Sequence, residues 1–544
     1  MKRRDFIKLS ALGSAGAFLL NGHAANTFSS HYLLNSFDCN LVNDRCIVLV
    51  QLSGGNDGLN TIVPANQYDT YAELRPIIKL NDIGESNGLI SLDTTLSLDD
   101  QIGLNPSLSG FKSLYEAGKL NIVQGVSYPD HNKSHFKSTD NLLKGIDGTS
   151  NSQSITTGWM SRFLENQFDF SQFEDPLGIQ LGSQKPSVGF HTEAEHRVDI
   201  NISGQDPSGY YTLISQIGTA PIPNTPSSDY GDNLEFIMNM ENNVNTYAER
   251  ITNVFNNGSN IATYPDTKLA DQLKTVARLI NGGSKTKIFL VSLSGFDTHN
   301  SQISGDGSHL GKHADLLSEL SEAMVAFQSD LGSLGLEDRV LSATFSEFGR
   351  KAKENGNYGT DHGKIAPLFV FGKHVKAGVT GGNMDLSLVG EDGQLEGVQH
   401  DYRQVFTTLI QDWMGGSNGI LEQSNFSEFE EEKLAIIDSE QVVPEDCYQS
   451  PIGIVELNLD IKFSAYPNPA KAFTIIEINV SKPGAYNCEL FNINGVVVRT
   501  YDWYLLAGDF SQEIDLSGLE AGNYIGSLTD EAASIKKEMK LLIL

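Results

Sequence analysis

The stretch Asp338–Gly372, DRVLSATFSEFGRKAKENGNYGTDHGKIAPLFVFG, decides the fold that this sequence predicts. It contains two apolar runs, Val340–Phe345 and Pro367–Phe371, on either side of a polar loop rich in Asn and Gly. Short runs of β-branched and aromatic residues bounded by glycine are typical of buried strands. Acid, amide and imidazole groups stand where the runs end, and open α/β sheets bind ligands outside the carboxyl ends of their strands. We therefore expect a strand, a loop that contributes to a site, and a second strand.

Further apolar runs in the first 416 residues have the same pattern, and segments with helical spacing of Leu, Ile and Val lie between them. This alternation predicts an α/β fold, with a mainly parallel sheet and helices on both faces. Residues Gly145–Thr225, rich in Ser, Gly, Asn and Gln, are expected to form loops and an inserted subdomain around the site. The predicted strands are Arg45–Leu52, Leu120–Val126 and Lys287–Leu293, and the predicted helices are Leu108–Ala117, His135–Leu143, Asn233–Val254, Leu269–Gly282, His309–Leu331 and Asp401–Met414.

The composition limits the classes of partner. The chain has 544 residues, with 38 Lys and Arg against 68 Asp and Glu, so its formal net charge is −30. This charge disfavours nucleic acid and anionic membranes as partners, although it is also typical of an acidic surface that keeps a secreted protein soluble. After the N-terminus no apolar stretch reaches the roughly 18 residues of a membrane helix. We expect no transmembrane segment in the mature chain.

The first 25 residues have the pattern of an export signal. Lys2-Arg3-Arg4-Asp5-Phe6-Ile7-Lys8 precedes the apolar segment Leu9–Leu20 and the small residues Gly22, Ala24 and Ala25. The arginine pair followed by Phe-Ile-Lys resembles a twin-arginine translocation signal, which implies export of the folded chain through the periplasm. An uncleaved membrane anchor is the alternative, for which the apolar segment is short.

The four cysteines show no Cys-x-x-Cys spacing, which argues against zinc-ribbon or thioredoxin chemistry. In an oxidising compartment, Cys39 and Cys46 are close enough in sequence for a local disulfide, and a pair between Cys447 and Cys488 is compatible with the sequence.

The composition and the pattern of secondary structure change after the α/β region, which we place at residues 40–435. Residues 436–462 have the composition of a linker, and residues 463–544 contain short alternating strands separated by Pro-Gly, Asn-Gly and Ala-Gly turns. This pattern predicts a small β-sandwich. Because it holds no cluster of acids, bases or nucleophiles, we interpret it as a module for location or binding.

Two polar positions follow the earlier strands. Asp57 lies in the Gly-rich turn Ser53–Asn60, which has neither Walker nor dinucleotide spacing. Ser134 follows the strand Leu120–Val126, together with two histidines, and is expected to begin a helix, where a nucleophile or an anion is favoured. The alternative for Ser134 is a helix N-cap.

The later strands bring candidate metal ligands. Asp297 and His299 are two residues apart in a loop, so both can turn to one metal as oxygen and nitrogen ligands. Asp361 and His362 precede the second strand of the opening stretch. His309 and His313, four residues apart on a predicted helix, are typical of a helix face rather than of a ligand pair.

The C-terminal motifs Tyr466-Pro467-Asn468-Pro469, Leu490–Gly495 and Leu519–Tyr524 resemble the type A sorting domain of the type IX secretion system. The resemblance implies a Bacteroidetes-type bacterium and transport by the type IX machinery across the outer membrane. It also implies release from the cell or attachment to surface polysaccharide.

Residues 1–416, which include the export signal and most of the α/β region, resemble the domain-of-unknown-function 1501 family, whose activity is not established. The resemblance rests on the twin-arginine start and on five motifs: QLSGGNDGLN (51–60), GFDTH (295–299), SEFGR (346–350), TDHG (360–363) and DYRQV (401–405). The family is similar in architecture to the alkaline phosphatase and sulfatase superfamily, whose members hold one or two divalent metals at strand ends.

Carried over residue by residue, this likeness implies metal ligands at Asp57, Asp297, His299 and His362, and a nucleophile at Ser134. Alkaline phosphatases commonly have Asp-His after the strand that precedes the late metal-binding His, whereas this chain has Ser346-Glu347. Glu347 could still bind metal through oxygen. A sulfatase nucleophile motif, Cys- or Ser-x-Pro-x-Arg, is not found in the sequence.

Two functions follow. The first is a metal-dependent hydrolase of phosphate or sulfate esters, with zinc, magnesium, manganese or calcium bound by Asp57, Asp297, His299, Asp361 and His362, with Glu347 as a further ligand, and with Ser134 attacking the ester. The second is a non-catalytic binding or assembly protein of the cell surface on the same fold. In that case Asp361 and His362 would be structural.

Overall fold

The computed structural model describes residues 18–20, 23–25, 42, 44–149, 152–169, 173–183, 185–192, 199–202, 247–449, 463–480, 484–492, 496–505, 508–530 and 536–544. The chain forms two compact units, residues 1–450 and 451–544. Most of the predicted export signal lies outside the described residues. Among the helices of the described ranges, none is both long and apolar enough to cross a membrane.

The elements of the first unit alternate along the chain much as the sequence predicts. Residues 247–257 are also helical, and the helix Tyr402–Thr408 continues into a π-helical turn at Leu409–Trp413. The strands are β1 (Phe18–Leu20), β2 (His23–Ala25), β3 (Cys46–Ser53), β4 (Ile62–Pro64), β5 (Ile90–Ser91), β6 (Ile102–Leu104), β7 (Leu120–Ser127), β8 (Gly178–Leu181), β9 (Asp199–Ile202), β10 (Ile288–Ser294), β11 (Val340–Phe345), β12 (Arg350–Glu354), β13 (Thr360–His362), β14 (Ala366–Phe371), β15 (Gly378–Thr380) and β16 (His400–Asp401). The helices are α1 (Gly58–Thr61), α2 (Tyr68–Leu74), α3 (Ser109–Glu116), α4 (His135–Lys144), α5 (Trp159–Gln167), α6 (Lys268–Asn281), α7 (Lys312–Ser333), α8 (Tyr402–Thr408) and α9 (Asn418–Ser424).

A nine-stranded sheet organises the described part of the first unit. Its strand order is β15-β7-β14-β11-β3-β10-β8-β9, and β16 pairs with the end of β7. Only β14 runs antiparallel to its neighbours, β11 and β7, whereas the other pairings of this sheet are parallel. The reason is the connection, because β11 reaches β14 through the hairpin β12–β13 and not through a crossover helix. The predicted mainly parallel α/β fold is confirmed.

The sheet buries both faces, as its uniformly apolar strands require. Along β3, Ile47 and Leu49 belong to one buried cluster and Val48 and Val50 to another, because successive side chains point to opposite faces. The first cluster includes residues of α4, α5, α8 and α9, and the second includes residues of α3, α6 and α7. Helices therefore cover both faces, as predicted.

The prediction of an inserted subdomain in Gly145–Thr225 differs from what the described residues of this segment show. Within the described part of this segment, β8 pairs in parallel with β10, and β9 pairs with β8. These residues extend the edge of the main sheet. The reason is the apolar content of Gly178–Leu181 and Asp199–Ile202, which are buried or nearly so and complete a parallel edge.

The second unit is the predicted small β-sandwich. Its strands are β17 (Phe463–Tyr466), β18 (Phe473–Val480), β19 (Gly484–Asn492), β20 (Val497–Leu505), β21 (Gly508–Asp515), β22 (Gly522–Asp530) and β23 (Lys536–Ile543). One antiparallel sheet has the order β17-β18-β21 and the other β20-β19-β22-β23. A shared core includes Ile476 and Ile514 from the first sheet with Leu490 and Leu528 from the second.

The two disulfides considered from sequence spacing are both wrong. Cys46 and Cys488 are free thiols in buried positions, and Cys447 takes part in a disulfide. Cys46 lies in the central strand β3, where burial raises the pKa of its thiol to about 11. Cys39 lies outside the described residues.

Candidate functional site

The candidate site lies at the edge of the sheet where the parallel strands end. The loops after β3, β7, β10 and β11 meet there, as is usual for ligand sites in open α/β sheets. Because β14 runs in the opposite direction, its amino end reaches the same edge. The loop that enters β14 therefore brings His362 beside residues that follow the parallel strands.

Three of the predicted ligands converge on one point. His299 Nε2 lies 2.9 Å from His362 Nε2, and Asp297 Oδ1 lies 3.2 Å from the first and 3.3 Å from the second. A loop after β10 supplies Asp297 and His299, while β13 supplies His362. The structure thus brings together side chains that are more than 60 positions apart in the sequence.

The other nitrogen of each imidazole fixes its tautomer. His362 Nδ1 lies 2.9 Å from the carbonyl oxygen of Lys133, which can only accept, so Nδ1 carries the proton. His299 Nδ1 lies 3.2 Å from Asp361 Oδ1. Burial alone would raise the pKa of Asp361, but hydrogen bonds from Asn355 and His299 outweigh it and lower the pKa, so the carboxylate accepts. In the neutral state both Nε2 atoms therefore present lone pairs to each other and to Asp297.

His135, which the sequence analysis did not select, completes the cluster. Its Nδ1 lies 2.9 Å from Glu347 Oε1, and its Nε2 lies 3.5 Å from Asp297 Oδ2. Within the described residues, His135 Nε2 and Glu347 Oε2 are buried atoms without a hydrogen-bond partner. The hydrogen bond to Glu347 outweighs burial and raises the pKa of His135. We call His135, Asp297, His299 and His362 the His–Asp cluster.

Arg350, the last residue of the SEFGR motif, holds the loops of the site together. It is 3% exposed and donates to the carbonyl oxygens of Gly54, Gly55, Phe296 and Thr360.

Arg350 also donates to Asp297 Oδ1 at 2.7 Å. Burial would raise the pKa of Asp297, but the hydrogen bond and charge of Arg350 lower it to about 2. Asp297 is therefore ionised at neutral pH. Close packing helps to fix its position, since a Cβ on Gly54 would lie 2.3 Å from the backbone nitrogen of Asp297.

Asp57, predicted as a metal ligand, has other partners. Its two carboxylate oxygens accept from Arg75 at 2.7 and 2.8 Å, and Gln302 donates to Oδ2 at 2.5 Å. The Asp57 and Arg75 side chains are both 0% exposed. Burial would raise the pKa of Asp57, but the Arg75 cation lowers it. The Arg75 guanidinium therefore binds both oxygens of the Asp57 carboxylate, which the sequence analysis predicted as a metal ligand.

Two other predicted ligands contact the cluster from behind. Asp361 lies beside His299, and Glu347 lies beside His135, so each carboxylate orients an imidazole. Glu347 Oε1 also accepts from the Gly54 N–H at 2.8 Å. Carboxylates that hold the remote nitrogen of a histidine are usual around metal ligands.

Ser134, the predicted nucleophile, is the N-cap residue of α4, directly before His135. Its side chain is exposed and makes no capping hydrogen bond to the helix. The expected helix start is confirmed, whereas capping by the hydroxyl is not seen. A catalytic role for Ser134 remains a prediction.

The cluster has the donor chemistry and spacing of a metal site. In a tetrahedral zinc site with bonds of about 2.0–2.1 Å, donor atoms lie roughly 3.3 Å apart. The separations between His299 Nε2, His362 Nε2 and Asp297 Oδ1 match that spacing, and donor atoms of His135, Asp297 and His362 all lie within 4.8 Å of one another. Lone pairs that converge in this way are stabilised by a cation. The residues present therefore fit a divalent metal.

His313, predicted to belong to a helix face, is 2% exposed and contacts the loop behind the site. Its Nε2 lies 3.0 Å from Asn56 Oδ1, and burial lowers the pKa of His313 to about 4. An unfolded histidine titrates near 6.5, so between these values the unfolded chain binds more protons. Stability from the neutral imidazole is fully present above about pH 6.5 and is lost as the pH falls toward 4.

We therefore expect the unfolding free energy of His313→Gln to depend less on pH below pH 7 than that of the wild-type chain. Between pH 7 and 4 the wild-type chain should lose roughly 3 kcal/mol more unfolding free energy than the variant. Denaturant unfolding at a series of pH values measures this difference. His131, whose pKa burial also lowers to about 4, is present in both proteins and cancels. Equal pH slopes for the two proteins would contradict the prediction.

Comparison with solved structures gives remote neighbours. A protein in the alkaline phosphatase superfamily from Vibrio parahaemolyticus has a TM-score of 0.30 and 8% identity, over 93% of this chain and 90% of that one. The PsFucS1 sulfatase from Pseudoalteromonas sp. has a TM-score of 0.29 and 10% identity, over 90% and 89%. At these scores the neighbours decide nothing about chemistry. Comparison with curated proteins finds no match.

Family models match two parts of the chain. Residues 464–543 match the "Secretion system C-terminal sorting domain". This match indicates a secreted protein that uses the type IX secretion machinery, which exports to the cell surface or the extracellular space. Residues 252–407 match the family described as "Protein of unknown function (DUF1501)", so both resemblances read from the sequence are confirmed.

Proposed function

We propose that the first unit is a metal-dependent hydrolase of phosphate or sulfate esters, with the metal held by His135, Asp297, His299 and His362. The observation that carries this proposal is the convergence of imidazole Nε2 atoms on Asp297 while their Nδ1 atoms are committed to Glu347, Asp361 and the Lys133 carbonyl. In the neutral state of the imidazoles the Nε2 lone pairs oppose one another, and a bound cation would stabilise them.

The donor set favours zinc among the ions that the sequence left open. Three imidazoles and one carboxylate suit zinc or a similar transition metal, whereas magnesium and calcium prefer sites made of oxygen. When bound with one coordination position left open, such an ion would polarise an ester oxygen and lower the pKa of a nucleophile or a water molecule.

The protein residues have separate tasks in this proposal. Arg350 holds the Asp297 carboxylate in its ionised form, and Glu347 and Asp361 keep the imidazoles of His135 and His299 turned toward the metal. Ser134, exposed beside His135, is the proposed nucleophile toward the ester. Asp57 is left out of the ligand set because Arg75 holds both of its oxygens.

A non-catalytic surface protein on the same fold is the second candidate. The observation that favours it is the Asp57–Arg75 pair, which removes a carboxylate from the predicted ligand set. The hydroxyl of Ser134 also makes no hydrogen bond that would activate it, within the described part of the chain.

For export we propose a twin-arginine signal at residues 1–25, passage through the periplasm, and secretion in a Bacteroidetes-type bacterium. The sorting-domain match at residues 464–543 supports the last step. Residues 40–435 would be the functional domain and residues 436–462 the linker to the sorting domain at 463–544. Attachment to surface polysaccharide after secretion remains part of this proposal.

Metal analysis and hydrolysis together test the enzymatic proposal. We expect protein purified without added ions to contain about one equivalent of zinc or a similar transition metal, and to hydrolyse an aryl phosphate or aryl sulfate. Dialysis against a chelator should abolish turnover, and added zinc should restore it. A stably folded protein that neither retains nor takes up a divalent ion would refute the proposal. Metal without turnover would favour the surface-protein candidate.

A further inference from the structure

His131, in the loop after β7, forms hydrogen bonds with both of its ring nitrogens. Its Nε2 lies 3.0 Å from the carbonyl oxygen of Glu347, which can only accept, so Nε2 carries the proton. Its Nδ1 therefore has a lone pair, and the Lys133 N–H donates to it at 3.0 Å. The neutral ring is 9% exposed and joins the loop after β7 to the loop after β11.

Each partner of His131 also orients an imidazole of the His–Asp cluster. The Glu347 carbonyl contacts His131, and its carboxylate lies 2.9 Å from His135 Nδ1. The Lys133 N–H donates to His131, and its carbonyl oxygen accepts from His362 Nδ1 at 2.9 Å. His131 is thus connected through one intervening residue to each of two proposed ligands.

The conformation of Lys133 makes the contact with His131 important. Lys133 has a φ of 62°, a region that residues other than glycine seldom adopt. In this conformation its N–H meets His131 and its carbonyl meets His362. Because the hydrogen bond to His131 offsets part of the cost of this backbone conformation, its loss should let the Lys133 carbonyl move away from His362.

Ring packing holds His131 in place independently of its nitrogens. The Tyr128 ring lies against it with centroids 4.2 Å apart, and the Phe348 ring meets it edge-on at 6.0 Å. Phe348 also contacts the rings of His135 and His362, with centroids 4.8 and 4.6 Å apart. An aromatic ring at position 131 is therefore kept by packing, so its two hydrogen bonds can be removed while its volume is retained.

We propose that His131 is a positioning residue of the metal site, which sets the directions of His135 and His362 through Glu347 and Lys133 without contacting the metal. An imidazole suits this task because one neutral ring supplies both a donor and an acceptor. Outer-shell groups of this kind fix the orientation of metal ligands. The inference rests on the proposed function and adds a residue outside the proposed ligand set.

Three substitutions separate the two hydrogen bonds. His131→Phe keeps a ring and removes both bonds. His131→Asn loses the donor to Glu347, but its side-chain oxygen can still accept from the N–H two residues on, that of Lys133. His131→Gln can donate to the Glu347 carbonyl and lacks the local acceptor. We expect zinc affinity to fall about 10- to 100-fold in the Phe and Gln variants and by less than about tenfold in the Asn variant.

Competition of the full chain with a chromophoric chelator measures these affinities, and the visible spectrum of the cobalt-substituted protein reports whether the ligands have turned. Denaturant unfolding of the metal-free protein measures stability separately. His313→Phe is the matched control, because His313 is 2% exposed and its Nε2 contacts Asn56, which orients none of the cluster residues. It should lower the stability of the metal-free protein and keep the wild-type zinc affinity and cobalt spectrum.

The outcomes separate the inference from the proposed function. Wild-type zinc affinity and cobalt spectrum in His131→Phe would overturn the role of His131 and leave the metal site intact. An equal fall of zinc affinity in His313→Phe would also overturn it, because lost stability would then be the cause. If His131→Phe does not fold, equal affinities of the Asn and Gln variants would overturn it. A wild-type chain that binds neither zinc nor cobalt would refute the ester-hydrolase proposal together with the inference.

Discussion

His362→Ala should lower the affinity of the chain for zinc by more than the roughly 10- to 100-fold that loss of an outer-shell partner causes. His362 Nε2 lies 2.9 Å from His299 Nε2 and 3.3 Å from Asp297 Oδ1, so the substitution removes one of the converging donors. By contrast, Asp361→Asn leaves every proposed donor in place and disturbs only the partner of His299. We expect its loss to stay within that 10- to 100-fold range.

Competition with a chromophoric chelator measures both affinities, and the visible spectrum of the cobalt-substituted protein reports the ligand geometry. His374→Ala is the matched control, because His374 pairs with Asp338, before the start of β11 and so at the opposite edge of the sheet from the cluster. It should bind zinc as the wild-type chain does. If His362→Ala also bound zinc with wild-type affinity, the assignment of the His–Asp cluster as a metal centre would fail.

Arg75→Met should destabilise the first unit by about 3–5 kcal/mol, because it leaves the Asp57 carboxylate buried without a counter-charge. Every donor of Arg75 is used: besides Asp57, it contacts Asn60 and the carbonyl oxygens of Lys351 and Ala352. These contacts tie the Gly-rich turn after β3 to the hairpin that carries His362. Guanidinium unfolding followed by tryptophan fluorescence measures the loss, since Trp159 and Trp413 are buried in this unit.

Lys373→Met is the control for Arg75→Met. It breaks the ion pair with Asp338, in which the side chains are 45% and 58% exposed, and exposed pairs contribute about 0–1 kcal/mol. The double variant Asp57→Asn with Arg75→Met should recover part of the loss, because both charges are then gone. A loss below about 1 kcal/mol in Arg75→Met would mean that the Asp57 carboxylate is compensated by another cation, such as a metal.

The strands and helices could be predicted because their patterns are local. The run Val340–Phe345 coincides with β11, and Pro367–Phe371 differs from β14 by one residue. Apolar runs of this length bury both faces wherever they lie in the chain. The same reasoning predicted Asp297, His299 and His362 as ligands, and the structure brings their side chains together, because polar residues after strands gather at one sheet edge.

The sequence analysis and the structure differ where the partner of a side chain lies outside its local sequence. Asp57 follows a strand as a ligand would, but Arg75, the C-cap residue of α2, donates to both of its carboxylate oxygens. His135 stands eight residues after Ser127, the last residue of β7. It joins the site because α4, whose Leu142 and Leu143 belong to the apolar cluster on one face of the sheet, begins beside Asp297. The spacing of Cys46 gave no sign that its thiol would be free in the central strand.

The sequence by itself determined the α/β sheet, the C-terminal sandwich, the two family resemblances and the edge at which the polar groups gather. Periodicity and turn residues act over a few positions, so they can be read directly from the chain. Only the tertiary structure decided that β14 runs antiparallel and brings His362 to that edge. The tertiary structure also decided that Arg75 forms an ion pair with Asp57 and that His135 joins the His–Asp cluster. These outcomes depend on which buried charges and lone pairs meet in space, and burial makes each such pairing costly to leave unsatisfied.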